Sequence, residues 1–290
     1  MTQIANEKLI VTVNPVGGTL TSIRDAVTGQ EYLWQGDPAY WKGQAPNLFP
    51  FVGRLCEERY TLNGVSYPMT RHGFVRSSLM ELESLEESSC CFALRDNEET
   101  RKLYPYTFTF RIVYRLVGDT LEISFQVENR SAETLYCGMG GHPGFNVPMD
   151  EGLSFEDYRL TFPTPSQPHQ VTFTPSLQVA PERPDYPLEE GTTLPLSHDL
   201  FGFDAIVLAD APRCVTLSSP KGAHGVTVSY PQMPYVGFWH QPKTDAPYLC
   251  IEPWAVLPGR DRVEEITTLP DVISVPAGET YSNNWSIRIW

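Results

Sequence analysis

An all-β chain folded as one large domain is what this sequence predicts, on three observations. Proline and glycine are abundant, at 26 and 21 of 290 residues. Proline alone is well above the ~5% of an ordinary chain, which leaves little room for long helices. Apolar residues recur with a period of two through the middle of the chain, the mark of strands with one buried face. The length suits either two small domains or one all-β unit, and such units often reach roughly 200–250 residues. Strands of similar character run on both sides of the one stretch that would serve as a linker, so residues 1–290 are read as a single domain. Aliphatic and aromatic residues make up 41% of the chain, enough for a packed core and too many for a disordered one.

Taken in order, strands are expected at 8–13, 20–24 and 31–34. Next, Met80 and Leu82, then Cys90, Phe92 and Leu94, alternate on either side of 86–89, which predicts a hairpin. The longest stretch free of Gly and Pro is 74–104, and within it only 96–103 reads as a short helix. The clearest signal comes after it. Phe108, Phe110, Ile112, Tyr114 and Leu116 alternate with polar or exposed-type residues, and after Gly118-Asp119 the pattern resumes at Leu121, Ile123, Phe125 and Val127. That is a second hairpin. Further strands are expected at 135–139, 154–161, 205–208, 215–218, 226–230, 236–240, 248–252, 263–267 and 281–290. The proline-rich polar segment 163–200 is read as a long connection across a sheet surface. No fixed-period repeat stands out.

Charge narrows the partners. Lys and Arg number 21 against 35 Asp and Glu, a balance of −14, which argues against nucleic acid or an anionic membrane as the main partner. No apolar run approaches the ~20 residues that span a bilayer. The N-terminal residues lack a basic region followed by an apolar one, so no signal peptide is expected. The cysteines at 56, 90, 91, 137, 214 and 250 are scattered without metal-ligand spacing and are read as reduced, mostly buried thiols. A cytoplasmic location is the expectation. No His-Glu-x-x-His, Cys-x-x-Cys, Gly-x-Ser-x-Gly or phosphate-cradling glycine loop occurs, so nothing points to a nucleotide or a catalytic metal.

Four segments combine turn residues, aromatics and a titratable or cationic group, the usual means of holding a small polar substrate. They are 47–54, 71–76, 140–146 and 251–254. In Gly140-Gly141-His142-Pro143-Gly144 the glycines allow close backbone approach and the proline stiffens the chain just after His142, so the imidazole is either poised for use or caps a turn. His72, beside Gly73, is the same case more weakly; His169, His198, His224 and His240 sit in loop-like contexts and are read as surface. Glu252, at the end of the apolar run 248–251, is either a buried ion-pair partner or a carboxyl with a pKa raised for proton transfer. Arg54 and Asp204 are isolated charges in apolar settings that each need a partner.

These four segments, in this order, resemble the aldose 1-epimerase (galactose mutarotase-like) superfamily, and most closely its LacX-like branch, along nearly the whole chain. Residues 47–54 look like that branch's Asn-x-x-Phe-Pro-x-x-Gly-Arg, 71–76 like its His-Gly-Phe-x-Arg, 141–146 like its His-Pro-x-Phe-Asn, and 251–254 like its Glu-Pro-Trp. The resemblance implies a large antiparallel β-sandwich with few short helices, the galactose mutarotase-like supersandwich, and an open sugar cleft. It implies no cofactor and no metal, and a small-molecule sugar as the partner of a monomer or homodimer. Carried over, Glu252 would be the general base and His142 the general acid, with Arg54, His72 and Asp204 binding substrate. The chain departs from the branch at 255–260, where relatives usually carry a Gly and an acidic residue, which bears on substrate preference.

The implied reaction interconverts the α and β anomers of a hexose by acid and base ring opening and reclosure. Trp41, Phe74, Phe145 and Trp254 are candidates to stack on the sugar. A hexose-6-phosphate 1-epimerase would need Arg71, Arg76 or Lys243 to reach a phosphate. A non-catalytic carbohydrate-binding protein would need no acid and base pair.

Overall fold

In the computed structural model, which describes residues 1–290, two large sheets share one apolar core, and every strand pairing within them is antiparallel. The first sheet has nine strands, ordered Thr193–Pro195, Arg159–Thr161, Cys214–Ser218, Gly225–Ser229, Thr280–Ile289, Thr120–Asn129, Phe108–Val117, Ser89–Arg95 and Glu81–Leu85. Its centre is the expected hairpin. Val117 pairs with Thr120 across a two-residue loop, and Gly118 takes φ +57°, the positive φ that a type II′ turn needs at its first position. Leu121, Ile123, Phe125 and Val127 are buried alongside Phe108, Phe110, Ile112 and Tyr114, within a core of 63 residues.

The second sheet has seven strands: His169–Val171, Ile206–Ala209, Tyr235–Trp239, Tyr248–Trp254, Gly140–Gly141 and Asn47–Leu48 in order, with Gly144–Asn146 also on the Tyr248–Trp254 strand. Successive side chains leave a strand on opposite faces. Leu249 and Ile251, with Val236 and Phe238 beside them, therefore enter the shared core. Tyr248, Cys250, Glu252 and Trp254 face the other way, toward two small apolar clusters and the cleft. The expected all-β sandwich is what is observed. Helix is confined to short pieces, none long and apolar enough to cross a membrane.

Several local expectations need correction. The helix occupies Glu98–Leu103, set by Asn97, whose side chain accepts from the Glu99 and Thr100 amides at 3.0 and 2.9 Å. Residues 154–161 are strand only at Arg159–Thr161, because the Ser154 amide and hydroxyl both donate to Asp157 Oδ2 and close a 3₁₀ turn. Residues 31–34 make only isolated bridges, Arg24 to Glu31 and Leu33 to Phe145, and 263–267 runs into the 3₁₀ turn Ile266–Thr268. Leu82 and Leu85 are 40% and 54% exposed, since Glu81–Leu85 is an edge strand with a bulge. Its charges Glu81 and Glu83 pair with Arg95, which blunts the open edge.

Candidate active site

The outer face of the seven-stranded sheet carries a cleft of about 490 Å³. Arg54, His72, His142, Asp204 and Glu252, drawn from sequence positions far apart, all line it. Arg71, Arg76, Trp41, Trp239 and Trp254 complete the polar and aromatic wall.

Glu252 is 2% exposed and pairs with Gly237 on the neighbouring strand. Burial raises its pKa well above the ordinary carboxylate range and the Asp204 charge adds to this, while the Trp254 indole and Arg71 pull the other way. His142 follows Gly140-Gly141, and a Cβ at Gly141 would lie 2.6 Å from the Trp285 ring, so only glycine lets the chain pass there. Its Nε2 stands 3.3 Å from Glu252 Oε1. Burial pushes the imidazole pKa down from 6.5 to about 3; the residue's own backbone carbonyl acts against this, and Arg71 and Arg76 act with it. Both shifts favour the neutral forms, carboxyl and imidazole, over the charged ones.

His72 is held by Gly53 at two points. Its backbone amide donates to the Gly53 carbonyl at 2.8 Å, and its Nδ1 accepts the Gly53 amide at 3.1 Å, which makes Nε2 the protonated nitrogen of the neutral ring. Burial, then His142, keep this ring neutral by lowering its pKa well below 6.5. Asp204 Oδ1 accepts from Trp239 Nε1 at 2.8 Å, and burial raises its pKa. Arg54, Arg71 and Arg76 form no ion pair. Seven buried side-chain polar atoms in the chain make no hydrogen bond of good geometry, and three of them, Arg54 Nε, His142 Nδ1 and Trp254 Nε1, which reaches only toward Glu252, belong to residues that line this cleft. Native buried polar groups are normally satisfied, so this concentration marks a place where a polar ligand completes the bonding.

A metal is a weaker match. The ligand atoms of His142, Cys250 and Glu252 lie within 4.8 Å of one another. Burial and the Glu252 charge, however, raise the Cys250 pKa well above its usual value, and a protonated thiol is a poor ligand.

Other sequence expectations fall away. His240 is not a surface residue: it is 0% exposed and packed against Phe201 and Phe155, with Nδ1 on the Gln241 carbonyl at 2.8 Å. Phe74 and Phe145 are core residues, unavailable for stacking on a ligand. Lys243 lies outside the cleft, in a surface depression with His198 and Asp245. The reading of individual segments missed Trp239, which orients Asp204, and also Phe173 and Leu177, which the proline-rich connection folds into the cleft wall. None of the three carried a local signal, since each depends on which strands become neighbours.

Known proteins of this build place the molecule among the carbohydrate epimerases. A galactose mutarotase related enzyme from Lactobacillus acidophilus superposes with a TM-score of 0.94 at 34% identity, over 100% of this chain and 97% of that one. A galactose mutarotase-like protein from Lactobacillus casei ATCC 334 gives 0.94 at 29% identity, with both chains covered in full at 100%. The chain belongs to the aldose 1-epimerase family, whose sequence profile matches residues 1–288. The plasmid-encoded protein LacX of Lactococcus lactis subsp. lactis is 37% identical to it, across 99% of this chain and 98% of LacX.

Proposed function

We propose that the chain interconverts the α and β anomers of an aldohexose, with Glu252 as general base and His142 as general acid. The contact of 3.3 Å between the two groups carries this reading. The oxygens that must lose and gain a proton are both bonded to the anomeric carbon, so base and acid have to be neighbours. Glu252 takes the proton of the anomeric hydroxyl while protonated His142 delivers one to the ring oxygen. The bond from the anomeric carbon to the ring oxygen breaks and the aldehyde forms. After rotation about the adjacent carbon–carbon bond, neutral His142 takes back the ring-oxygen proton and Glu252 returns its own, closing the ring on the other face. Arg54, His72 and Asp204 hold the hydroxyls during rotation.

Proton counting supports the pairing. The working form has carboxylate and imidazolium, which bears the same single proton as the neutral pair of the free cleft. Moving that proton across the contact puts no net charge into the buried site, so its cost is lower than that of charging either group alone. Activity should fall when the pair gains a second proton, toward the value of about 3 at which His142 charges, and again when the shared proton leaves. Proton NMR saturation transfer between anomeric signals of galactose and glucose tests the reading, with Glu252→Gln as control. Exchange at the wild-type rate in that variant removes the mechanism, and binding without exchange in the native protein makes it a carbohydrate-binding protein.

A second reading, that the hexose is phosphorylated, is favoured by one observation. Three guanidiniums without ion-pair partners line the cleft of a chain whose net charge is −14. Arg71 and Arg76 are exposed at its wall, where a phosphate would find charge-assisted donors. Exchange confined to the 6-phosphates in the same experiment selects this substrate.

A further inference from the structure

A catalytic imidazole is usually fixed by a hydrogen bond from its second nitrogen to a carbonyl or carboxylate. His142 makes no such bond of good geometry to another residue: Nδ1 is buried, and only the residue's own backbone carbonyl acts on the ring. What surrounds the ring instead is aromatic. The Trp41 indole lies against its face, with centroids 5.1 Å apart and planes at 28°. Trp239 and His72 meet it edge-on, each at 5.7 Å and 80°. Trp41 is itself held on several sides. It stacks on Tyr248 at 5.7 Å, its carbonyl accepts Trp34 Nε1 at 2.8 Å, and its amide donates to the Asp37 carbonyl at 2.9 Å. Two glycines make the space: a Cβ at Gly43 would lie 2.4 Å from the indole, and one at Gly144 would lie 3.1 Å from it.

We infer that Trp41 is the positioning residue of His142: its indole sets the plane of the imidazole in place of the missing hydrogen bond and stabilises the ring while it is positively charged. An aromatic face attracts a cation and does so most strongly where water is excluded, as it is here. The effect answers the electrostatics of the site. Glu252 and Cys250 face the ring from the strand beneath it, His72, Arg71 and Arg76 from the neighbouring segment, and Asp204 acts on Glu252. Of these Glu252 and Asp204 favour the cation, as does the ring's own backbone carbonyl, while the two arginines oppose it. Trp41 is thus not a sugar platform. The face it offers is already occupied by the imidazole.

The role in catalysis rests on the acid assignment above, so the test has a part that does not. Trp41→Leu and Trp41→Phe would be compared with the native protein in two measurements. The first is a pH titration of the His142 ring by ¹⁵N or ¹³C NMR, assigned with His142→Asn. The ring should protonate at a lower pH in Trp41→Leu and nearly normally in Trp41→Phe, whether or not any sugar turns over. The second is the rate of anomer exchange against pH. Trp41→Leu should lower kcat about 3- to 30-fold, the span expected for loss of a cation–π contact, with KM little changed and with rescue by Phe. An unchanged His142 titration in a folded Trp41→Leu variant overturns the inference, as does a rise in KM at constant kcat, which would make Trp41 a substrate platform. If the titration shifts but the native protein exchanges no anomers, the positioning role stands and the epimerase reading fails. If Trp41→Leu does not fold, Trp41→Met, which keeps bulk without an aromatic face, carries the same titration against Trp41→Phe, and identical native behaviour in both rejects the charge-stabilising role.

Discussion

The two large sheets meet the same core with different sides of the same physics. In the nine-stranded sheet the central strands Phe108–Val117, Thr120–Asn129 and Thr280–Ile289 each run ten residues, and their inward positions are apolar almost without exception. Their outward positions carry charge and find simple partners, as Arg111 does with Glu83 and Glu128. The seven-stranded sheet is made of shorter strands and is buried on both faces. On the Tyr248–Trp254 strand all seven residues are buried, so the alternation of apolar and polar that announces a solvated strand is gone. What replaces it is Cys250 and Glu252 on the cleft side, groups whose burial costs free energy. The first sheet devotes its residues to stability, and the second gives up stability to hold titratable groups out of water.

The sharpest way to break this contrast is at Glu252. Glu252→Gln keeps the shape and removes a carboxyl whose charged form burial disfavours. Anomer exchange should drop about 10²- to 10⁴-fold, with thermal stability unchanged or slightly higher by scanning fluorimetry. A severe loss of stability would mean that Glu252 is a structural ion and that the contrast is false. The reverse experiment is Phe125→Ala in the nine-stranded sheet, which should cost about 3–5 kcal/mol in urea unfolding while exchange per folded molecule is retained.

A smaller effect tests the cleft wall. Arg76→Gln should raise KM for a hexose 6-phosphate about 10- to 100-fold, the value of a hydrogen bond to a charged group of ~1.5–3 kcal/mol. It should leave a neutral hexose nearly unaffected. Equal losses for both sugars would assign Arg76 to the fold rather than to a phosphate.

The smallest is a pH effect on stability. His240 is buried on the seven-stranded side with a pKa lowered from 6.5 to about 4 by burial. As pH falls through 6.5 the unfolded chain takes up this proton before the folded one does, so stability should decline between pH 6.5 and about 4. The limiting slope for one such group is ~1.4 kcal/mol per pH unit. His240→Gln should flatten that decline in denaturation midpoints measured across the window, and an equally steep profile would place the effect on His72 and His142.

These differences also explain where the sequence is legible. The central hairpin can be read to the residue, because Phe108 to Val127 face a core on one side and water on the other, and Gly118 marks the turn. Glu81–Leu85 misleads, because an edge strand with a bulge no longer obeys its own period. His240 misleads because its neighbours Gln241 and Pro242 have the character of a loop, while the aromatic rings that enclose it come from other segments.

By itself, then, the amino-acid sequence determined what depends on neighbours along the chain: an all-β composition, the long alternating strands, and four short segments whose glycines, prolines and charges set them apart. Only the tertiary structure decided that Arg54, His72, His142, Asp204 and Glu252 share one cleft, that Trp41 covers the imidazole, and that Phe173 and Leu177 form part of the wall. The reason is physical. Strand order is set by burying whole sheet faces at once, so which distant segments become neighbours is a property of the complete core and of no single stretch within it.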